Sequence, residues 1–289
     1  MRFETGLTVV TIVDSHVHLW DPAQFRYVWL DGVPALNRAF EPADFAGASA
    51  PADVSKFIFV ECGREPAQSL AEVDWISRLA KSEPRLKGIV AHASLEHGEA
   101  ARPQLETLAS RPLVKGVRRN LQSEPDPEFC LGSAFLSGVK LLAEFGFTFD
   151  LCVRHEQLPA ASELARRVPE VTFVLDHLGK PDVRNQGFQP WANELDALAA
   201  LPNVFAKISG LTTEAHWKDW QPTDLAPYLR QAFDTFGPER LMFGSDWPVM
   251  TLATSYQRWI ETVQTHLPFS KEQDWIRLFR TNAERIYRV

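Results

Sequence analysis

The sequence predicts an α/β protein: a (β/α)8 barrel forming one domain over residues 1–289, with its active site at the C-terminal face of the strands. Three observations carry that reading. Eight short apolar segments rich in Val, Ile and Phe follow one another, and their ends step 25 to 46 residues apart between Asp14 and Ser245. A βα unit takes roughly 30 residues or more, so the rhythm suits eight repeats of strand then helix. The segments are unbroken apolar runs, as in a parallel sheet buried on both faces. Stripes at helical spacing lie between them, and 289 residues is an ordinary length for one such barrel.

Taken in order, strands are expected at Leu7–Asp14, Lys56–Glu61, Leu86–His92, Leu113–Arg118, Phe147–Leu151, Val171–Asp176, Val204–Ser209 and Arg240–Ser245. Leu70, Val73, Trp75, Ile76 and Leu79 mark a helix between the second and third strands. Phe135, Val139, Leu142 and Phe145 mark one between the fourth and fifth, stopped by Gly146. Ala161, Leu164, Ala165 and Val168 repeat the stripe between the fifth and sixth. Pro84, Pro112, Pro169 and Pro202 fall just before strands, where proline ends the preceding helix. Two connections are too long for plain turns. One runs from Asp21 through Arg26-Tyr27-Val28-Trp29 to about Phe40, and the other, Leu211 to Pro222, carries His216, Trp217 and Trp220. Both follow strands, so both belong to the C-terminal face, where long loops bind substrate.

Composition narrows the function classes. The chain is 45% hydrophobic and 23% charged, ordinary for a globular protein with a large core. Its formal charge of −7 argues against nucleic acid, which needs a basic footprint. The apolar run near the N-terminus is too short for a signal segment or a membrane span, so no membrane partner is expected. Cys62, Cys130 and Cys152 form neither a disulfide framework nor a zinc-ribbon spacing, which fits a reducing, cytoplasmic setting.

The chemistry begins at Asp14-Ser15-His16-Val17-His18. Alternate side chains of a strand share a face, so His16 and His18 should point the same way, with Asp14 behind them. Two imidazoles at a strand end can grip one metal ion or together polarise one substrate oxygen. Alone, such a pair is more often two solvent-exposed histidines where a strand runs into a loop. Three further sets give it company. His177 ends the sixth strand within Asp176-His177-Leu178-Gly179-Lys180-Pro181, where an imidazole can ligate a metal, bond a carbonyl or shuttle a proton. Asp246 ends the eighth strand within Gly244-Ser245-Asp246-Trp247-Pro248; in a closed barrel it stands beside His16 and His18, able to hold and deprotonate a water. Glu61, Arg118, Arg119, Asn120, Arg154, His155, Lys207 and Ser209 are polar groups at the ends of other strands. No G-x-S-x-G elbow suggests a serine nucleophile.

With these motifs the chain resembles the amidohydrolase superfamily, in the small lactonase branch that includes L-fuconolactonases, rhamnonolactonases and 2-pyrone-4,6-dicarboxylate lactonases. The resemblance covers nearly the whole chain. It is carried by the opening Asp-x-His-x-His, by Gly116-Val117-Arg118, by Asp176 to Pro181, and by Phe243-Gly244-Ser245-Asp246-Trp247-Pro248. It implies that His16 and His18 match the strand-one metal pair, His177 the strand-six histidine, and Asp246 the strand-eight aspartate, the usual general base. His16, His18, His177 and Asp246 would then be the ligands of one zinc ion, which not every lactonase of the branch needs. The fourth strand departs from the binuclear pattern: Arg118-Arg119 stands where a bridging Lys or Glu is expected, so two bridged metals are not implied. His155 is a candidate ligand lying beyond the fifth strand's end.

The expected reaction is hydrolysis of a sugar lactone to the aldonic acid, as for L-fuconolactone in L-fucose degradation. Asp246 activates the water, and the histidines, with or without zinc, stabilise the oxyanion. Trp29, Glu61, Arg118, His155, Lys180, Trp217 and Trp247 are the expected substrate contacts, being polar or aromatic groups near the mouth. A zinc-dependent non-oxidative decarboxylase and a barrel that binds a sugar acid without turnover are the alternatives.

Overall fold

The computed structural model describes residues 11–289. Its eight strands are β1 (Ile12–Val17), β2 (Val54–Val60), β3 (Leu86–Ala91), β4 (Val114–Val117), β5 (Thr148–Leu151), β6 (Phe173–Leu175), β7 (Val204–Ile208) and β8 (Leu241–Phe243). They pair in parallel in the order of the sequence. The ring closes where Val17 bridges Trp247 in parallel, with Asp246 N donating to His16 O at 2.9 Å and His18 N to Trp247 O at 2.7 Å. This is the (β/α)8 barrel expected from the apolar segments.

The strands are apolar throughout because both faces are covered. Phe57, Phe59, Phe149, Phe173, Leu175, Val204, Ala206 and Ile208 pack with the helices in the main core. Their alternates Ile58, Val60, Val174 and Phe205 meet Val13, Val90 and Met242 in a smaller inner cluster, joined by Ala283, Ile286 and Tyr287 of the C-terminal helix Asn282–Tyr287. That helix plugs the barrel floor. Asp150 of β5 and Lys207 of β7 are also fully buried, in the alternation positions that face inward. The expected helices appear at Ser69–Leu79, Ser133–Phe145 and Leu158–Arg167, the second capped by Gly146.

Two expectations shift at the N-terminal strand. The expected segment Leu7–Asp14 falls partly outside the described residues, and β1 runs on to Val17, so His16 lies within the strand. The β1–β2 register slips between Asp14 and Val17, and such an irregularity turns following side chains to the other face. Asp14 therefore does not stand behind the histidines. It is buried, accepting from Ser245 N at 2.9 Å and from Tyr256 OH of the outer helix Tyr256–His266 at 2.9 Å.

The two long connections are ordered. The first folds into short turns at Val28–Gly32 and Pro34–Leu36 and returns through an antiparallel bridge between Trp20 and Phe40. The second begins with the short helix Leu211–Glu214; Trp220 is buried and donates to Ala253 O at 2.8 Å, whereas Trp217 is 41% exposed. Cys62, Cys130 and Cys152 are free and buried. Among the described residues no helix is long and apolar enough to cross a membrane.

Candidate active site

His16 lies near the end of β1, His18 just beyond it, His177 follows β6 and Asp246 follows β8, and all four meet. His16 Nε2 and His18 Nε2 are 3.1 Å apart. Asp246 Oδ1 lies 3.3 Å from His18 Nε2, 3.7 Å from His16 Nε2 and 3.9 Å from His177 Nε2. Each imidazole is anchored through its other nitrogen. His18 Nδ1 is 2.8 Å from Val60 O, His177 Nδ1 is 2.9 Å from Ser209 Oγ, and His16 Nδ1 lies against Asp176 and Lys207. Such outer partners fix ring orientation and tautomer.

Backbone conformation aims two of the four. His177, Leu178, Gly179 and Lys180 all have positive φ, at 54°, 52°, 71° and 49°, making one left-handed turn after β6. Asp246, at φ 62°, is left-handed too. Left-handed backbone costs roughly 1–2 kcal/mol per residue with a Cβ. The turn is held by Lys180 N donating to His177 O at 2.9 Å and Trp191 Nε1 donating to Leu178 O at 2.7 Å. Two glycines leave room. A Cβ on Gly210 would sit 2.4 Å from His177 Nδ1, and one on Gly244 would sit 2.8 Å from His16 Cβ.

Electrostatics divides the groups by charge. Burial holds the imidazoles of His16 and His177 below their usual pKa, His177 at about 4, so both are neutral near pH 7. Burial works to raise the Asp246 carboxyl, but the surrounding imidazoles of His177, His18 and His16 outweigh it, keeping Asp246 ionised well below the usual carboxylate range. Asp176 is held down likewise, burial being overcome by Lys207, His16 and Arg118.

Three imidazoles and a carboxylate form a donor set suited to a divalent ion such as zinc. The structure offers a direct sign of fit. In neutral His18 the proton sits on Nδ1, because the Val60 carbonyl can only accept. Its bare Nε2 lone pair then faces the Asp246 carboxylate at 3.3 Å, a repulsion that a cation between them would relieve. Among the described residues, His16, His18 and Asp246 form one potential metal group, and His16, His177 and Asp176 a second that shares His16.

Behind the cluster runs a buried chain of charges. Lys207 Nζ lies 2.6 Å from Asp150 Oδ2 and 2.9 Å from Asp176 Oδ1. Arg118 Nη1 reaches Asp176 Oδ2 at 3.1 Å, its Nε reaches Glu61 Oε1 at 2.9 Å, and Arg64 Nη1 pairs with Glu61 Oε2 at 2.7 Å.

The expected substrate contacts fare unequally. Trp29, which donates to Cys62 O at 2.8 Å, and Lys180, paired with Glu214 at 3.3 Å, are partly buried on loops of the C-terminal face. Trp217 donates to Thr213 O at 2.8 Å and stays exposed on the same face. Glu61 and Arg118 engage each other, Arg64 and Asp176, which gives them a supporting place behind His16. Trp247 is 2% exposed, and its ring packs against Phe40 and Phe45. His155 starts a turn, pairs with Glu156 at 3.3 Å and stands outside both metal groups. Asp150 and Tyr287 are residues of this region that lie in no quoted motif, and Asp176, which opens the Asp176–Pro181 motif, was given no role there. Charged residues inside the apolar runs Phe147–Leu151 and Val171–Asp176 were the available signal for the two aspartates; Tyr287 had none.

A family model described as amidohydrolase matches residues 13–289. The chain belongs to the amidohydrolase family. Within it, the chain is 33% identical to an L-fucono-1,5-lactonase of Burkholderia multivorans, over 86% of this chain and 88% of that protein. It is 24% identical to an L-rhamnono-gamma-lactonase of Scheffersomyces stipitis, over 96% and 98%. A crystal structure of a Burkholderia multivorans amidohydrolase with bound zinc superposes with a TM-score of 0.85 at 31% identity, covering 97% of this chain and all of that one. As an amidohydrolase with lactonase-named relatives, the protein is a hydrolase acting on lactone esters.

Proposed function

We propose that this amidohydrolase opens a sugar lactone, L-fuconolactone or a closely related aldonolactone, to the aldonic acid. The observation that carries the reading is the meeting of His16, His18 and His177 around the ionised Asp246, in a chain similar over most of its length to named sugar lactonases. His16, His18, His177 and Asp246 are the residues that would hold one zinc ion. Bound there, the ion would supply Lewis-acid polarisation of the lactone carbonyl or of the attacking water.

The chain's own groups account for the proton transfers. Asp246 Oδ1 takes a proton from water as the water attacks the carbonyl carbon. It returns that proton to the ring oxygen as the C–O bond breaks, so no net proton is held. The buried setting strengthens each of these interactions by excluding water. Trp29 and Trp217 offer flat apolar faces to the sugar ring, and Lys180 offers a donor to its hydroxyls.

The test is a pH-indicator assay over five- and six-membered sugar lactones, with and without chelator. Acid release from L-fucono- or L-galactonolactone, abolished by Asp246→Asn, is the expected result. Silence across the panel would overturn the sugar-lactone reading.

A further inference from the structure

His16 Nδ1 faces two groups at one distance: the Lys207 ammonium at 3.2 Å and Asp176 Oδ1 at 3.2 Å. An ammonium only donates and a carboxylate only accepts, so the two require opposite tautomers of His16. The surrounding hydrogen bonds choose between them. In the neutral form, His18 Nδ1 donates to Val60 O and its Nε2 can accept from His16 Nε2, 3.1 Å away, when the proton of His16 sits there. His16 Nδ1 is left bare and takes an N–H from Lys207.

That arrangement leaves one group poorly served. Asp176 Oδ1 is fully buried and, although 2.9 Å from Lys207 Nζ, has no aligned hydrogen bond. Its partner oxygen, Oδ2, is held by Arg118 at 3.1 Å. An unserved carboxylate oxygen 3.2 Å from Nδ1 is the acceptor that the opposite tautomer needs. The opposite tautomer is also the only neutral one that offers Nε2 as a metal ligand.

We propose that Lys207 and Asp176 form a two-position tautomer switch on His16. Without metal, Lys207 donates to Nδ1, and Nε2–H closes the site by bonding His18. When a divalent cation enters, the His16 proton resides on Nδ1 and is accepted by Asp176. This rests on the proposed reading of His16, His18, His177 and Asp246 as the metal-binding reaction centre. The proton count of the protein is unchanged: one proton leaves Nε2 to solvent and one from solvent arrives on Nδ1. Lys207 remains an ammonium throughout, anchored on Asp150, which Tyr287 OH holds at 2.8 Å from the barrel floor. Stability is a weak reason for placing these charges here, since buried ion pairs can often be replaced by apolar residues without loss. Neither Lys207 nor Asp176 is assigned contact with substrate; both are positioning residues.

The test is long-range 1H–15N correlation of the imidazoles in 15N-histidine protein, with His16 assigned by its loss in His16→Asn. Spectra are recorded metal-free and after titration with zinc, and zinc affinity is measured by calorimetry. The expected result is Nε2–H in the metal-free protein and Nδ1–H in the zinc form. Asp176→Leu should weaken zinc about 10–100-fold while leaving the metal-free tautomer as in the wild type. Lys207→Met should move the metal-free tautomer to Nδ1–H. If either variant fails to fold by circular dichroism, the two wild-type spectra decide alone. The same tautomer with and without zinc, wild-type zinc affinity in folded Asp176→Leu, or no zinc binding at all would each overturn the switch. None of these readouts uses a lactone, so an inactive lactone panel leaves this test intact.

Discussion

Asp246 Oδ1 stands 3.9 Å from His177 Nε2, and both residues reach that point from left-handed backbone, at φ 62° and 54°. Two segments from different parts of the chain, one after β6 and one after β8, adopt the same unfavourable conformation where their side chains meet. Local preference would have released both turns, so the packing around them must hold them in place.

Asp246→Asn tests the proposed base most directly. The amide keeps the shape but cannot take a proton from water, so lactone hydrolysis should fall by about 10²- to 10⁴-fold. A pH-indicator assay beside a thermal melt separates this from unfolding. Retained turnover in the folded variant would remove Asp246 from the role.

Gly210→Ala should disturb His177. The new methyl would lie 2.4 Å from His177 Nδ1, on a backbone with φ 65° that favours glycine. Overpacking of this kind costs about 1–3 kcal/mol. Urea denaturation should report that loss, and hydrolysis should drop with it as His177 is displaced from Asp246. A variant as stable and active as wild type would show that the site has more slack than the geometry allows.

Metal removal gives a third prediction. Dialysis against a chelator should lower lactone hydrolysis, and zinc should restore it, with elemental analysis showing about one ion per chain. His18→Ala should abolish the retained zinc. Full activity at undetectable metal would leave the imidazoles to bind the substrate oxygen themselves.

Two buried carboxyls beside Arg64, Glu61 at 2.7 Å and Glu72 at 3.5 Å, pull stability in opposite directions with pH. Burial raises Glu72 to about 8, its neighbour Arg64 opposing and Glu61 adding to the rise. A folded pKa above the unfolded value means that Glu72 weakens the fold as pH rises from about 4.5 through about 8. For Glu61, burial is overcome by Arg118 and Arg64, which hold it at about 2; its stabilisation is present above about 4.5 and lost as pH falls towards 2. Urea midpoints of Glu72→Gln against wild type should therefore diverge progressively between pH 4.5 and 8, the variant gaining. A constant difference across that window would mean that Glu72 stays ionised.

Much of this molecule is legible along the chain. The eight apolar runs and the helical stripes give the barrel because burial on both faces leaves a periodic mark on the sequence. His16, His18, His177 and Asp246 are legible for a related reason: each lies at or just beyond the C-terminal end of a strand, and a barrel brings all those ends to one face. Trp247 shows where this reasoning stops. It sits one residue after Asp246, yet its ring turns back into Phe40 and Phe45, a direction that proximity to a strand end does not convey.

The amino-acid sequence by itself determined the barrel and singled out the four groups, His16, His18, His177 and Asp246, that the fold brings together. All of these follow from local periodicity and from which residues terminate strands. Only the tertiary structure decided what lies behind them. The turning of Asp14 towards Tyr256 depends on a register slip between β1 and β2. The contacts of Arg118 and Glu61, and the line from Tyr287 through Asp150 and Lys207 to Asp176 and His16, join residues up to 160 positions apart, as in His16 with Asp176. Such contacts arise from how strands face one another across a closed ring, and pairings across that distance leave no periodic trace in a single sequence.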